Sequence, residues 1–235
     1  IDIPDVARRL AAVAWPGPLT IILTKSARVA TGTTGGASTV GLRVPAHPVA
    51  QALLARFGGG IAAPSANRFG AVSPTTADHV AHDLGDRVDC LLDGGPCSVG
   101  VESTIVDLSG GRAVLLRPGG MTREAIEAVT GPLGSGTAES PAAPGTLESH
   151  YAPRALVIAI EPHELAVVLP NVMAQGGRVG LLAPRSAIRD LPDGVTFEQL
   201  PEDVEGMARD LYARLRTLDE TGVDEARVGE RVVVG

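Results

Sequence analysis

Lysine and cysteine are scarce in this sequence of 235 residues. Lysine occurs only at Lys25, and Leu19 and Thr24 stand where a phosphate-binding loop of the Gly-x-x-x-x-Gly-Lys-Ser/Thr type requires its two glycines. That loop is excluded, so any nucleotide must be held in another way. The two cysteines, Cys90 and Cys97, are too few for a disulfide framework or a cysteine-rich zinc site.

Long apolar runs and an excess of positive charge are also absent. The longest apolar stretches have the length of a strand, as at 155–160, whereas a membrane span needs about 18 to 20 residues. No signal segment opens the sequence, so we expect a cytoplasmic protein without a membrane anchor. The formal net charge of -7 argues against a protein that holds a long nucleic acid by its phosphates, because that mode requires a basic surface. A small substrate is therefore expected.

The apolar pattern predicts an α/β protein, and hydrophobic residues make up 44%, enough for one large core or two smaller cores. Six β-branched or leucine-rich runs bounded by glycine, proline and polar residues predict strands at 19–23, 39–44, 60–63, 88–93, 103–108 and 113–117. Amphipathic segments with capping residues predict helices at 47–58, 75–85 and 121–131.

A change of composition separates two predicted domains. Glycine, serine, alanine and proline replace the apolar periodicity at 134–153, which predicts a linker or lid. Strand-like runs resume after it, and one apolar helix face lies within 200–222. We therefore expect a first domain at 1–133 and a second, smaller α/β domain with a parallel sheet at 154–235.

Basic and polar side chains lie at the ends of several predicted strands. Arg43 and Arg117 each end a strand, Ser103 begins another, and hydroxyl and amide side chains crowd the stretch 65–76. Ligands of open α/β sheets gather at strand ends, and the arginine fork suits carboxylate or phosphate. An anion pocket is therefore predicted. Two alternatives stay open: arginines that only pair with surface acids, and a polar loop with a helix cap at 65–76.

Two further groups have simpler interpretations. His79 and His82 lie three residues apart on a predicted helix and could share a metal, but no third ligand is indicated nearby. A solvated helix face is the preferred interpretation. Cys90 lies in a predicted strand and is interpreted as a small core residue.

Six motifs stand out between Trp15 and Arg154: WPGPLTIIL, TVGLRVPAHP, APSANRFGAVSPT, GGPCSVGVESTIVDL, LLRPGG and SHYAPR. Together they resemble the L-threonylcarbamoyladenylate synthase family, which has the YrdC-type fold. The order of linker, strand and helix after Arg154 resembles the long form of that family. The resemblance implies a YrdC-type twisted mixed sheet with helices, followed by a smaller Rossmann-like α/β domain.

The resemblance implies a nucleotidyltransferase that condenses L-threonine, bicarbonate and ATP to threonylcarbamoyl-AMP and pyrophosphate. Mg²⁺ would accompany ATP, and the product would pass to the proteins that transfer the threonylcarbamoyl group to tRNA. Because those partners perform the transfer, no strong direct binding of nucleic acid is expected. Positioning and neutralisation of phosphate charge would carry the catalysis without a protein nucleophile.

Carried over residue by residue, the resemblance divides the site between two substrates. It implies binding of L-threonine by Arg43, Ala63 and Ser103. It implies binding of ATP by Thr39, Ser65, Ser73, Arg117 and Tyr151. The residues implied to be catalytic are Ser65 and Asn67, a Ser-x-Asn element near the phosphates.

Two of these implied roles concern how the nucleotide is held without a phosphate loop. The hydroxyl and amide cluster after Pro64 would replace a phosphate loop. Tyr151 lies in the linker and is expected to fold over the nucleotide. A linker of this length inside a compact protein is more often a lid than an unstructured connection between domains. An unstructured tether is the alternative.

The sequence departs from the family pattern at both ends. It opens at a point inside the first domain, so the family's N-terminal portion, with a Lys-x-Arg element, is expected to be missing from it. The last residues lack an expected glycine-rich segment and helix. Two alternatives of other kinds are kept: a carbamoyltransferase that forms a carbamoyl-adenylate, and a non-enzymatic RNA-binding module, which would need a basic surface.

Overall fold

The structure, a computed structural model, describes residues 3–68, 70–137, 140–141, 143, 153–174, 176, 178–188 and 190–221, and the backbone of 231–234. Contacts divide the chain into two compact units. Unit 1 comprises Ile1–Pro64 and Val101–Glu148, and unit 2 comprises Ser65–Gly100 and Ser149–Gly235.

Helices and strands alternate along much of the chain, as the sequence predicts. In chain order they are α1 (Asp5–Ala14), β1 (Leu19–Thr24), β2 (Thr39–Leu42), α2 (Pro48–Phe57), α3 (Ala77–Leu84), β3 (Thr104–Asp107), β4 (Val114–Arg117), α4 (Arg123–Thr130), β5 (Gly134–Ser135), β6 (Leu156–Ala159), α5 (Leu165–Ala174), β7 (Val179–Pro184), β8 (Val195–Leu200), α6 (Val204–Glu220) and β9 (Arg231–Val234). Short 3-10 turns connect some of them.

Unit 1 contains a mixed sheet with the strand order β2-β1-β3-β4-β5. β1 is antiparallel to β2 and parallel to β3, and β3 is antiparallel to β4. This arrangement confirms the predicted fold class for the first part of the chain.

One face of this sheet is apolar and covered by helices. Leu19, Ile21 and Leu23 of β1 point to this face, as the two-residue period of a strand requires. They pack with Leu10 of α1 and Ile126 of α4, and all five residues are buried. Burial of this apolar surface is the main stabilising contribution to unit 1.

Among the described residues, the opposite face carries a small apolar cluster. Ile22 and Ile105 are buried there together with Ala143, and Leu116 packs against them. Ala143 belongs to the predicted linker at 134–153. At least this linker residue therefore packs on the sheet of unit 1.

Unit 2 contains a parallel sheet with the strand order β6-β9-β7-β8. Leu181 of β7 packs with Leu169 of α5, and the next residue, Leu182, packs with Leu215 of α6. Because successive strand residues point to opposite faces, α5 and α6 cover different faces of the sheet. A parallel sheet with helices on both faces is the Rossmann-like arrangement that was expected.

Residues from the middle of the sequence also belong to unit 2. Val72 is 3% exposed and shares a core cluster with Leu182, Leu200, Leu215 and Leu218. Contacts thus group the segment 65–100 with the C-terminal residues, whereas the predicted boundaries after 133 and 153 follow the order of the chain. Those boundaries stay a prediction.

Two predicted strands are wrong. The runs at 60–63 and 88–93 are irregular, and Cys90 is exposed rather than part of a core. Within the described residues neither run pairs with a neighbouring strand. A run of apolar residues forms a strand only where a neighbouring strand is available for backbone hydrogen bonds. No helix in the described part of the chain has the length and apolarity needed to cross a membrane.

Candidate functional site

The start of β3 brings together side chains from three strands. The Ser103 hydroxyl lies 2.8 Å from Oγ1 of Thr20 in β1. Arg117, at the end of β4, donates from Nη2 to Ser103 Oγ at 3.2 Å and to the Ser103 carbonyl at 2.8 Å. Its Nε donates to the same carbonyl at 3.1 Å. A residue predicted for L-threonine and one predicted for ATP are therefore in direct contact.

The turn after β4 holds the backbone that carries Ser103. A β-carbon at Gly119 would lie 2.3 Å from the carbonyl oxygen of Glu102, so only glycine fits there. The Thr104 hydroxyl donates to the Met121 carbonyl at 2.7 Å and accepts from the Met121 amide at 2.9 Å. The Arg-Pro-Gly-Gly motif thus fixes the position of Ser103 by close packing.

Arg43 follows β2 at the same end of the sheet. The register pairs Leu42 with Ile21, which brings Arg43 to the level of Thr20, the hydroxyl partner of Ser103. Arg43 is exposed, and its side chain has no hydrogen-bond or ion-pair partner among the described residues. Its guanidinium is therefore accessible to an anionic ligand.

Thr39 lies at the other end of β2. Thr39 lies four positions before Arg43, which corresponds to a distance of roughly 13 Å along a strand. Thr39 lines a shallow polar cavity of about 330 Å³ together with Asp107 and the linker residues Thr137 and Ser140. Thr39 is therefore apart from the cluster at Ser103 but lies close to the linker.

The predicted Ser-x-Asn element lies in an irregular segment of unit 2. Asn67 Nδ2 donates to the carbonyl oxygens of Arg68 and Ala71 at 2.9 and 2.8 Å. Its Oδ1 is buried and has no hydrogen-bond partner among the described residues. Ala66 has a φ of 59°, a left-handed conformation that is uncommon for residues other than glycine. The backbone strain at Ala66 thus lies beside a buried oxygen that no described residue satisfies.

Ser73, a predicted ATP ligand, lies in a buried segment before α3. Ser73 and Thr75 are 8% and 4% exposed. The amide of Thr75 donates to His79 Nδ1 at 3.2 Å, and the amide of Cys97 donates to the Thr75 carbonyl at 2.8 Å. Desolvation, and to a lesser extent the positive charge of Arg216, lowers the pKa of His79. A neutral imidazole that accepts at Nδ1 agrees with that direction.

For two predicted site residues, Ala63 and Tyr151, the structure gives no side-chain contacts. Ala63 is exposed in an irregular stretch of unit 1, and Tyr151 lies outside the described residues. The site residues are thus divided between the units: Thr39, Arg43, Ala63, Ser103 and Arg117 belong to unit 1, and Ser65, Asn67 and Ser73 belong to unit 2.

Sequence reasoning missed the contributions of Thr20 and Arg216. Thr20 lies in an apolar strand pattern, where a single threonine is unremarkable. Arg216 lies in a helix whose apolar face gives no reason to expect a buried charge. Of the two histidines considered for a metal, His79 accepts from the Thr75 amide at Nδ1, and the side chain of His82 is 69% exposed.

Two family models match the chain. The model Sua5/YciO/YrdC, described as telomere recombination, matches residues 1–119. The model described as the C-terminal domain of threonylcarbamoyl-AMP synthase matches residues 121–234. The chain belongs to the threonylcarbamoyl-AMP synthase family.

Individual relatives agree with this family. The threonylcarbamoyl-AMP synthase of Pyrococcus abyssi is 40% identical over 95% of this chain and 68% of its own length. The protein of the same name from Bacillus subtilis is 41% identical over 94% of this chain and 66% of its own length. A crystal structure of P. abyssi Sua5 complexed with L-threonine matches with a TM-score of 0.88 and 38% identity, over 100% of this chain and 70% of that one. This chain thus spans about two thirds of the length of these relatives.

Proposed function

We propose that this member of the family is a nucleotidyltransferase that forms threonylcarbamoyl-AMP and pyrophosphate from L-threonine, bicarbonate and ATP. The observation that supports this most directly is the similarity to a Sua5 structure complexed with L-threonine, which extends over the whole of this chain. The cluster of arginine and hydroxyl groups at the start of β3 supplies the chemistry that a carboxylate and a polyphosphate both require.

L-Threonine is assigned to the strand end that carries Arg43 and Ser103. The exposed guanidinium of Arg43 suits the carboxylate of the amino acid, and the backbone at Ala63 supplies a further polar contact. The Ser103 hydroxyl is oriented by Thr20 and Arg117, so its position is fixed before a ligand arrives. Preorganised polar groups of this kind lower the entropic cost of binding.

ATP is assigned to a set of residues that the family resemblance implies. The proposed set is Thr39, Ser65, Ser73, Arg117 and the linker residue Tyr151, with Asn67 beside the phosphates. The packing of the linker residue Ala143 on Ile22 and Ile105 agrees with a lid. Such a lid would exclude water from a reactive mixed anhydride.

The reaction needs no nucleophile from the protein. The threonine amine first combines with bicarbonate to give a carbamate and water. A carbamate oxygen then forms a bond to the α-phosphorus while the bond from that phosphorus to the pyrophosphate oxygen breaks. Arg117 and the hydroxyl groups would hold the attacking and departing oxygens in line and neutralise their charge.

Mg²⁺ is proposed to arrive with ATP. The buried Oδ1 of Asn67, which lacks a hydrogen-bond partner among the described residues, is an oxygen of the kind that coordinates Mg²⁺ or accepts a hydrogen bond from its bound water. Because Mg²⁺ usually keeps several waters and binds substrate phosphates, phosphate oxygens and water would supply most of the coordination, and the ion would neutralise phosphate charge.

The proposed setting is the cytoplasm, where downstream proteins would transfer the threonylcarbamoyl group to tRNA. A net charge of -7 gives this chain little reason to bind tRNA strongly by itself. The same observation disfavours a non-enzymatic RNA-binding module.

Release of pyrophosphate by the full-length protein tests the proposal. Release should require ATP, threonine and bicarbonate together, and omission of any one should abolish it. Release without threonine would contradict the proposal, and dependence on carbamoyl phosphate instead would support the carbamoyltransferase alternative. Arg56→Ala, at an exposed position on α2, is a control that should retain full activity.

A further inference from the structure

Arg216 of α6 lies outside the proposed ligand set but contacts the segment that carries Ser73. The residue is only 7% exposed. Its Nη2 donates to the Val72 carbonyl at 2.5 Å, and its Nε donates to the Ser73 carbonyl at 3.3 Å. Two consecutive carbonyl groups in the proposed ATP-binding segment are thus held by one side chain of the C-terminal helix.

The charge of Arg216 is neutralised by Asp83 at the end of α3. Arg216 Nη2 lies 2.5 Å from Asp83 Oδ2, and Nη1 lies 3.3 Å from Oδ1. A buried ion pair of this kind adds little net stability, because desolvation of both charges offsets their attraction. A role in geometry therefore explains the pair better than a role in stability.

The neighbouring contacts of α6 have the same consequence. Val72, the residue before Ser73, is buried against Leu215 and Leu218 of this helix. At the far end of the segment, a β-carbon at Gly100 would lie 2.1 Å from the carbonyl oxygen of Arg209, so the backbone there runs directly against α6. The helix thus contacts the segment 65–100 near Val72, at Asp83 and at Gly100.

We propose that Arg216 is a positioning residue for ATP. By fixing the carbonyls of Val72 and Ser73, it sets the direction in which the Ser73 side chain and the adjoining Asn67 loop face the nucleotide. This inference rests on the proposed function, in which Ser73 binds ATP. It gives the C-terminal α/β domain a part in nucleotide binding although none of its described residues is proposed as a ligand.

The substitution Arg216→Lys tests the role. Lysine keeps the positive charge beside Asp83 but lacks the planar fork that reaches two carbonyls and a carboxylate together. Calorimetric titration of the full-length protein should show ATP binding weakened on the order of 10- to 100-fold, because misplacement of a ligand group by about 1 Å has effects of that size. The dissociation constant for L-threonine should stay unchanged.

Two further variants separate positioning from stability. Asp83→Asn removes the counter-charge but leaves the two carbonyl contacts, so it should lower the urea midpoint while ATP binds nearly as in the parent protein. Arg214→Lys is the matched control: Arg214 lies two residues away on the same helix, is 43% exposed and pairs with Glu198. It should change neither ATP binding nor the midpoint.

Unchanged ATP affinity in Arg216→Lys would overturn the proposal. It would also be overturned if ATP affinity fell in step with the urea midpoint in both Arg216→Lys and Asp83→Asn. Should Arg216→Lys fail to fold, the double variant Arg216→Met with Asp83→Leu replaces the pair by apolar groups that folded proteins tolerate. That variant should still lose ATP affinity, and normal binding by it would refute the inference. Failure of the proposed function would appear separately, as absence of ATP or threonine binding in the parent protein.

Discussion

The residues assigned to the two ligands lie on two kinds of structure, which define a strand-borne half and a loop-borne half. The strand-borne half lies in or beside strands of a hydrogen-bonded sheet and comprises Arg43 and Ser103, assigned to L-threonine, with Thr39 and Arg117, assigned to ATP. The loop-borne half lies in irregular chain and comprises Ser65, Asn67 and Ser73, assigned to ATP, with Ala63, assigned to L-threonine. A sheet fixes its strand ends through many ladder bonds, whereas an irregular segment depends on a few individual contacts between side chain and main chain.

This difference determines which substitutions should displace the residues of each half. The positions of the strand-borne residues follow from the register of β1, β2 and β3, which no single side chain determines. The loop-borne residues depend on Asn67, His79 and Arg216, each of which bonds to main-chain groups of the segment. Substitutions in the two halves should therefore differ in how they change stability, and each should weaken the ligand to which the altered residue is assigned.

The largest effect is expected for Thr104→Val on the strand-borne side. Thr104 is fully buried, and its hydroxyl satisfies both the amide and the carbonyl of Met121. Valine has a similar shape but leaves both groups unsatisfied, which should lower the free energy of unfolding by about 2 to 4 kcal/mol. Urea denaturation measures this loss. Thr33→Val, at an exposed position, should change it little, and equal losses in the two variants would show that the buried hydroxyl is dispensable.

Arg43→Ala should affect one ligand only. Removal of the guanidinium should weaken binding of L-threonine by about 1.5 to 3 kcal/mol, the range for a hydrogen bond to a charged group, and the lower end is expected because Arg43 is exposed. Affinity for ATP should not change. Titrations with each ligand decide the matter, and a parallel loss for ATP would contradict the assignment of Arg43 to L-threonine alone.

Ala66→Gly examines the strain on the loop-borne side. Glycine relieves the left-handed conformation at φ 59°, and its greater freedom in the unfolded chain offsets part of the gain. Stability should be unchanged or rise by up to about 1 kcal/mol. Ala81→Gly, at an exposed position within α3, should lower it by about 1 kcal/mol. Thermal denaturation of both variants checks the sign, and a similar loss in each would argue against strain at Ala66.

Part of this architecture could be predicted from the sequence. A continuous apolar run identifies β1, and Thr122 and Gly58 mark a helix start and a helix end that the structure contains. Motif resemblance identified the family. These features depend on local pattern or on residues kept together in the sequence.

The remaining features depend on residues far apart in the chain. The contact of Arg216 with Val72 joins positions separated by 144 residues, and that of Arg117 with Ser103 depends on the register between β3 and β4. The grouping of 65–100 with the C-terminal residues likewise has no sequence signal, because among the described residues a single position of the segment, Val72, belongs to the buried cluster around Leu215. The period of the apolar residues and the local composition do not predict which distant segments pair with each other.

The smallest effect is expected from protonation of His79, which bonds to the loop-borne segment. Desolvation and then the charge of Arg216 hold its pKa below the usual value near 6.5, while the carboxylates of Glu220, Asp83 and Asp78 partly oppose them. The unfolded chain therefore binds a proton that the folded chain resists, so this contribution is complete above pH 6.5 and is lost as the pH falls toward the lowered value. Urea midpoints between pH 7.5 and 5.5 should fall less steeply in His79→Gln than in the parent protein. His82→Gln, whose side chain is 69% exposed in the parent protein, should leave the slope unchanged, and identical slopes in all three proteins would show that His79 does not couple the segment to pH.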